Sequence, residues 1–169
     1  MKKRKITLTL FSGILIIFLI VTAFNVFTIK SMQPPPNPTH IVLNEDVAVE
    51  NLSKAITYKT VSYQDRSKFD FKEFEKFIAF LHESFPRVYE QLEFERVNNY
   101  ALVYKWKGSD AGKRPIGLTS HYDVVPVLTG TEANWEQKPF SGAIVDEKIW
   151  GRGTLDDKIG VIGIIQAVD

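Results

Sequence analysis

An uncharged run of 24 residues near the N-terminus, from Ile6 to Ile29, constrains this chain more than any other feature of its sequence. As an α-helix the run would be about 36 Å long, which exceeds the roughly 30 Å hydrocarbon core of a bilayer. A continuous helix also satisfies its own backbone hydrogen bonds, as any segment in lipid must. The run therefore predicts a membrane-spanning helix over residues 6–29.

The flanks of the run indicate its orientation and its fate. Residues 1–5 contain four basic side chains, and such clusters stay on the cytoplasmic side. We therefore expect a single-pass protein with a cytoplasmic N-terminus and an extracytoplasmic body. A cleaved signal peptide is disfavoured, because its apolar region is about 7–15 residues long and ends in a small-x-small site, which Ala23–Phe27 does not offer. A buried core helix is disfavoured by the basic flank and the scarcity of polar residues.

A proline-rich segment separates this run from the body of the chain. Four prolines lie within five positions of the stretch Ser31–Thr39, and such a stretch favours an extended spacer. Residues 30–43 are thus interpreted as a linker. His40, within it, is interpreted as a solvated side chain without a role.

Charge argues against a nucleic-acid partner, and cysteine content restricts the ligands of any metal site. Without the five basic residues beside the apolar run, the chain has 16 basic and 20 acidic residues. A mildly acidic body without a basic stripe gives no reason to expect nucleic acid as a partner. Because the chain has no cysteine, a metal would have to use histidine and carboxylate ligands.

The body begins with two segments of helical periodicity. Residues from about Asp46 to Tyr58 predict a modest amphipathic helix. From Phe71 to Ser84 the periodicity is stronger, and Pro86 is expected to close that helix. Its aromatic stripe is interpreted as core packing, and His82 as an ordinary histidine at the edge of that stripe.

Short apolar runs follow, which favour strands. A hairpin is predicted through Asn98-Asn99 and a second one with its turn near Asp146-Glu147. Between them, Pro115–Ser120 predicts a buried strand that ends at His121. A helix is predicted from Asp157 onward. Because helices and strands alternate, the predicted fold class is an α/β sheet domain over residues 44–169.

Two polar clusters carry the candidate chemistry. The first is Ser120-His121-Tyr122-Asp123-Val124-Val125-Pro126. Since alternate side chains of an extended segment point the same way, His121 and Asp123 can share one face. A neutral imidazole is a good zinc ligand, and a nearby carboxylate can orient it.

The second cluster is Trp150-Gly151-Arg152-Gly153-Thr154-Leu155-Asp156-Asp157-Lys158. Its glycines permit tight backbone geometry, and its two aspartates precede a helix whose free N–H groups help to hold anionic side chains. Each cluster alone is a weak signal. Metal binding and ordinary helix capping both remain open on spacing alone.

Together the motifs resemble a known family. The stretch TSHYDVVPV, followed by NWEQKPFSGAIVDEKIWGRGTLDDK, carries the patterns H-x-D-x-V-P, W-x-x-x-P-F and W-G-R-G-x-x-D-x-K in order. This sequence, within about Ile116–Asp169, resembles the co-catalytic di-zinc hydrolases that include carboxypeptidase S, aminoacylase and succinyl-diaminopimelate desuccinylase. The apolar N-terminus and the residues of the motifs are most similar to those of the carboxypeptidase S branch, which also contains N-acyl amino acid hydrolases.

The resemblance implies a role for each matching residue. His121 would be a ligand to one zinc ion, and Asp156 the carboxylate that bridges two. Asp123 would be the catalytic-centre acid that supports His121. Asp157 would be a local hydrogen-bonding residue, and Lys158 belongs to the motif without an assignable chemical step. Four more motif residues would shape and pack the loop: Trp135, Pro139, Phe140 and Trp150.

The implied cofactor is a pair of zinc ions, and cobalt or manganese also suits such ligands. The ions would activate a water for attack on an amide carbonyl of a small peptide or an N-acyl amino acid, with a glutamate as general base. In the family that glutamate, further ligands and a lid or dimerisation domain follow later in the chain.

We therefore interpret residues 44–169 as an incomplete N-terminal part of a metallohydrolase domain, inactive alone, with any homodimer formed through a domain absent here. The alternative is a short, non-catalytic, membrane-anchored binding protein with a degenerate hydrolase domain. The reading frame beyond Asp169 would distinguish the two.

Overall fold

The computed structural model describes residues 2–30 and 44–169. The chain divides into two compact units, Met1–Val42 and Leu43–Asp169. The linker predicted over residues 30–43 lies outside the described residues apart from Lys30, and so does His40. The interpretations of both stay predictions.

The described residues of the first unit, 2–30, form helix α1 from Lys2 to Thr28. Its stretch Leu10–Thr28 has a mean hydropathy of 2.5 and none of it is buried. By length and composition the helix can cross a membrane, and a signal sequence near the N-terminus meets the same criteria. The span over residues 6–29 and the cytoplasmic placement of residues 1–5 stay predictions.

Two capped helices open the second unit, and both were predicted. Helix α2 spans Glu45–Thr57, and the side chain of Asn44 accepts a hydrogen bond from a backbone N–H of its first turn. Helix α3 spans Phe71–Ser84, and Asp70 caps it in the same way. Such caps satisfy backbone donors that the first turn leaves free. The aromatic stripe of α3 is buried, as predicted.

The expectation that Pro86 only closes the preceding helix is incomplete. Helix α3 ends at Ser84, but Pro86 is the first residue of a further short helix, α4, which spans Pro86–Gln91. A proline suits that position, because its missing N–H would have no helical partner there and its φ is already helical.

Both predicted hairpins are present. Strand β1 (Glu93–Val97) pairs antiparallel with β2 (Ala101–Lys105), and β3 (Ile144–Val145) pairs antiparallel with β4 (Lys148–Ile149). All four turn residues have positive φ, as two-residue turns between twisted strands require; they are Asn98 (50°), Asn99 (70°), Asp146 (51°) and Glu147 (59°).

The prediction of a buried strand over Pro115–Ser120 is wrong. These residues form no regular strand, and Ile116 and Leu118 are 88% and 65% exposed. Apolar composition indicated burial, but a strand also needs a hydrogen-bonded neighbour, and the part of the chain that the structure describes places none beside this segment. The body is thus a mixed helix and sheet unit, and a larger α/β sheet domain stays a prediction.

The last helix begins later than predicted. Helix α5 spans Ile159–Val168, and residues Thr154–Lys158 form an irregular turn, in which Asp156 and Asp157 have non-helical backbone angles. The two aspartates therefore precede the first regular turn of α5 instead of belonging to it.

The core lies among α2, α3, α4 and α5. It consists of apolar side chains that are almost fully buried: Leu52, Ala55, Ile56, Phe77, Phe80, Leu81, Phe85, Val88, Val161, Ile162 and Ile165. Helix α2 packs against α5 and against the turn that precedes it. The C-terminal end of α2 is thereby held next to the turn that carries the candidate site.

Candidate metal centre

His121 and Asp156 lie in direct contact, although 35 positions separate them in the sequence. Nε2 of His121 is 2.9 Å from Oδ1 of Asp156. The two side chains are 52% and 84% exposed, so the contact faces open solvent. The structure therefore brings together the two residues for which the sequence suggested metal binding.

Asp123 lies on the other side of the imidazole ring. Nδ1 of His121 is 3.0 Å from the backbone carbonyl oxygen of Asp123 and 3.3 Å from its Oδ1. A histidine ring with one nitrogen tied to a backbone carbonyl or carboxylate is held in one orientation, and its other nitrogen is available to a metal. Asp123 thus orients the ring.

Both ring nitrogens of His121 therefore face oxygen acceptors. Burial is the largest single influence on the pKa of His121 and lowers it, but the Asp123 carbonyl and the carboxylates of Asp156 and Asp123 together raise that pKa above its ordinary value. Without a cation, a proton on Nε2 satisfies the carboxylate of Asp156. A divalent cation at the same position would take over that role.

The geometry fits such a cation. Zinc bonds of about 2.0–2.2 Å to nitrogen and oxygen in a tetrahedral arrangement separate the two ligand atoms by about 3.3 Å. The observed 2.9 Å between Nε2 and Oδ1 would have to widen by only a few tenths of an ångström. Among the described residues, however, no group of three His, Cys, Asp or Glu side chains could hold a metal. Within the described residues, the pair alone is therefore not a complete metal site.

The segment 60–62 aligns the first cluster. Val61 and Val124 form a parallel β-bridge, the N–H of Val124 donates to the carbonyl of Thr60 at 2.9 Å, and the N–H of Ser62 donates to the carbonyl of Val124 at 2.9 Å. The buried hydroxyl of Thr60 donates to the carbonyl of Tyr122. The backbone that carries His121 and Asp123 is thereby fixed to the residues that follow α2.

Ser62 is a site residue that the sequence did not indicate. Its hydroxyl donates a hydrogen bond of 2.7 Å to Oδ2 of Asp123, which leaves Oδ1 towards His121. No signal in the sequence pointed to it, because it lies 61 positions from Asp123 and outside every motif.

Asp157 serves the local structure, and its carboxylate contacts Ser120. Its Oδ2 accepts a hydrogen bond of 2.6 Å from the hydroxyl of Ser120, and chiefly for this reason its pKa lies below the ordinary value. Gly160 is packed tightly here, because a Cβ at that position would come within 2.6 Å of both Asp157 Oδ1 and Ser120 Oγ. The arrangement agrees with the local role expected of Asp157.

Lys158 is the least expected feature of the site, since its side chain is fully buried. Its Nζ donates to the carbonyl of Ala55 at 2.9 Å and to that of Tyr58 at 2.7 Å, and it lies 5.1 Å from the centroid of the Phe77 ring. Burial lowers the pKa of Lys158 to about 7, against a smaller opposing influence of Glu73.

Two of the motif residues expected to shape the loop, Trp135 and Pro139, contact Arg152. The guanidinium of Arg152 lies over the ring of Trp135, 5.0 Å from the centroid. The backbone N–H of Arg152 donates to the carbonyl of Pro139 at 2.6 Å. The indole of Trp150 donates to the carbonyl of Val145 at 3.3 Å. Phe140 lies 6.0 Å below the ammonium of Lys59.

Comparison with known proteins gives this arrangement a family. Residues 117–169 match the family model described as peptidase family M20/M25/M40. A probable carboxypeptidase S-like 2 of Dictyostelium discoideum is 40% identical over 166 residues, which cover 93% of this chain and 32% of that protein. Carboxypeptidase S of Saccharomyces cerevisiae is 37% identical over 130 residues, covering 72% and 22%. The human N-fatty-acyl-amino acid synthase/hydrolase PM20D1 is 36% identical over 135 residues, covering 78% and 26%.

The matching family model and the relatives named above describe peptidases and an N-fatty-acyl-amino acid synthase/hydrolase. The chain belongs to the M20 peptidase family, on the carboxypeptidase S branch, and the match to the family model covers residues 117–169. The resemblance predicted from the motifs is therefore confirmed. The chain spans about a third of the length of the two Dictyostelium relatives, 32% of each. The roles of His121, Asp123 and Asp156 stay predictions.

Proposed function

We propose that this chain is the N-terminal part of a membrane-anchored, zinc-dependent hydrolase that cleaves amide bonds of small peptides or N-acyl amino acids. The observation that carries the proposal is the 2.9 Å contact between His121 Nε2 and Asp156 Oδ1. It lies within a stretch that matches a peptidase family, and it consists of the two ligand types that zinc takes from a chain without cysteine.

Each side chain has a distinct task in this proposal. His121 would hold one zinc ion through Nε2, and Asp156 would be the carboxylate ligand common to both ions. Asp123 holds the proton on Nδ1 and so keeps Nε2 unprotonated when the metal is present. Zinc, when bound, polarises the amide carbonyl and lowers the pKa of a coordinated water. Cobalt or manganese would suit the same ligands.

The exposure of the pair supports a catalytic rather than a structural centre. A structural zinc site is closed by four protein ligands, whereas a catalytic one keeps a position for water or substrate. His121 and Asp156 are half exposed and largely exposed, so a substrate carbonyl can approach them.

The remaining ligands and the general base are proposed to come from residues outside this chain. The described residues provide no third donor to the pair, and the relatives are about three times as long. We therefore propose that the 169-residue chain alone is inactive. The incomplete donor set also supports the alternative, a non-catalytic membrane-anchored binding protein, if the gene encodes nothing further.

The substrate class follows from the names of the relatives. Two of those named above are carboxypeptidase S or similar to it, and one is an N-fatty-acyl-amino acid synthase/hydrolase. Both names describe amide bonds next to an amino acid, so we propose such an amide as the substrate. Any homodimer would form through a dimerisation domain of the complete gene product, and nucleic acid is not a proposed partner.

The experiment uses the complete gene product, purified with zinc. The amino acid released from a dipeptide and from an N-acyl amino acid is measured by mass spectrometry, with and without a chelator, in wild type and in His121→Ala. We expect hydrolysis of at least one substrate, lost on chelation and in the variant. A folded, zinc-loaded product that cleaves neither substrate would contradict the proposal. Zinc-dependent cleavage by the 169-residue chain would contradict its predicted inactivity.

A further inference from the structure

The buried side chain of Lys158 connects the two parts of the candidate centre. Its ammonium donates to the carbonyls of Ala55 and Tyr58, at 2.9 Å and 2.7 Å, at the C-terminal end of α2. The last carbonyls of a helix have no partner within the helix and carry partial negative charge. Each of the two carbonyls also accepts one backbone hydrogen bond, Ala55 from Tyr58 at 3.4 Å and Tyr58 from Thr60 at 3.0 Å. Lys158 adds a positive charge and a second hydrogen bond to each, and so acts as a C-terminal cap supplied from 100 positions away.

The backbone before Lys158 is shaped to let its side chain pass into the core. Gly153 has φ of +94°, and a Cβ there would lie 2.7 Å from Val124 Cγ1 and 3.3 Å from Lys158 Cδ. The N–H of Lys158 donates to the carbonyl of Gly153 at 2.9 Å. The turn that presents Asp156 is therefore closed at its base and anchored at its end by one buried side chain.

The same end of α2 also holds the other half of the centre. The chain leaves α2 at Tyr58 and continues to Thr60 and Ser62, which bond to the backbone and side chains of residues 122–124. The backbone segments that carry His121 and Asp156 are therefore both hydrogen-bonded to one short segment, residues 55–62. Lys158 provides the hydrogen bonds that join the turn carrying Asp156 to this segment.

We propose that Lys158 is a positioning residue that fixes Asp156 at the distance from His121 that the metal pair requires; this inference rests on the proposed function. The lysine touches neither substrate nor metal. It acts through the turn 153–158, whose end it ties to the carbonyls of α2. A lysine that only filled the core would contribute to stability without influencing metal affinity.

The test compares Lys158→Met with Lys148→Met in the complete gene product. Methionine keeps an unbranched apolar side chain and removes the ammonium, and Lys148 is an exposed lysine of β4. Zinc affinity is measured by competition with a chelating dye, together with kcat, KM and the thermal unfolding of the metal-free protein. For Lys158→Met we expect about 10–100-fold weaker zinc binding, a lower kcat with little change in KM, and recovery of kcat in excess zinc. Lys148→Met should match wild type.

Unchanged zinc affinity and kcat in a folded Lys158→Met protein, even with a lower unfolding temperature, would overturn the inference. If that variant does not fold, Lys158→Gln decides, because it removes the ammonium and keeps a polar N–H donor at the buried position. Weaker zinc binding by folded Lys158→Gln would support the inference, and wild-type binding would overturn it. Failure of the wild-type protein itself to bind zinc would instead refute the proposed function.

Discussion

The hydroxyl of Ser62 donates a hydrogen bond of 2.7 Å to Oδ2 of Asp123, while Oδ1 of the same carboxylate lies 3.3 Å from Nδ1 of His121. One carboxylate therefore connects a serine outside the motifs to the imidazole of the candidate centre. The serine restricts the rotation of Asp123, and Asp123 in turn orients the ring.

Replacement of Ser62 should therefore reduce activity without removing a ligand. For Ser62→Ala we expect kcat of the complete gene product to fall about 10-fold or more, the lower end of the range for groups that orient metal ligands. Ser62→Thr, which keeps the hydroxyl, should recover most of it. Ser67 is the matched control, because its hydroxyl bonds to the exposed carboxylate of Asp65 in the same way. Equal kcat in Ser62→Ala and Ser67→Ala would show that Ser62 has no such role.

Two glycines of α5 should respond to alanine in opposite directions. Alanine normally stabilises a helix by about 0.5–1 kcal/mol relative to glycine, and at Gly163 no atom lies within 4 Å of the added methyl group. At Gly160 the methyl would collide with Asp157 and Ser120, so we expect a loss of about 1–3 kcal/mol. Chemical denaturation of both variants measures the difference. A stabilising Gly160→Ala would contradict the tight packing of the Asp157 carboxylate.

Glu73 should make a pH-dependent contribution to stability. Hydrogen bonds from Lys76 and from the backbone N–H of Lys59 lower its pKa from the ordinary 4.5, against burial, which raises it. A carboxylate with a lowered pKa stabilises the fold fully above its unfolded value, and that stabilisation is lost as the pH falls through the folded value. The cost of Glu73→Gln should thus be about 1 kcal/mol at pH 7 and should shrink as the pH falls below 4.5.

Unfolding by urea at pH 7 and at pH 3 measures this dependence. Glu83→Gln, an exposed position on the same helix, is the control and should change the free energy of unfolding by less than about 0.5 kcal/mol at either pH. A cost of Glu73→Gln that is the same at both pH values would refute the assignment.

The predicted membrane anchor has a direct chemical test. A span over residues 6–29 that stays attached leaves the N-terminus of the mature protein before residue 6, and the protein resists extraction of membranes with alkaline carbonate. A cleaved signal sequence would give a mature N-terminus beyond the apolar run. N-terminal sequencing of the protein from cells decides between them, and a mature protein that begins after residue 29 would contradict the anchor.

Local patterns predicted those parts of the fold that local interactions determine. The helix Phe71–Ser84 and the two hairpins were predicted because periodicity and turn residues act within a few positions. The strand expected over Pro115–Ser120 was wrong, because strand formation depends on a neighbour that a single segment cannot reveal. The start of α5 was also misplaced, since the turn before it depends on the buried Lys158.

In the candidate site, too, local motifs could be recognised in the sequence, whereas contacts between distant segments could not. His121, Asp123 and Asp156 were predicted because they lie in motifs whose order is specific; the structure places His121 beside both aspartates, and their roles stay predictions. Ser62 and the cap formed by Lys158 were not found, because each acts through a contact between segments far apart in the chain, and neither residue type nor spacing indicates such a contact.

The zinc content of the complete gene product tests the central claim most directly. After gel filtration in zinc-containing and then zinc-free buffer, elemental analysis should give about two zinc ions per wild-type chain. Asp156→Ala should lose this zinc, and Asp157→Asn, whose side chain can still accept the hydrogen bond from Ser120, should retain it. An Asp156→Ala protein with the wild-type zinc content would contradict the assignment of Asp156 as the bridging ligand and, with it, the proposed centre.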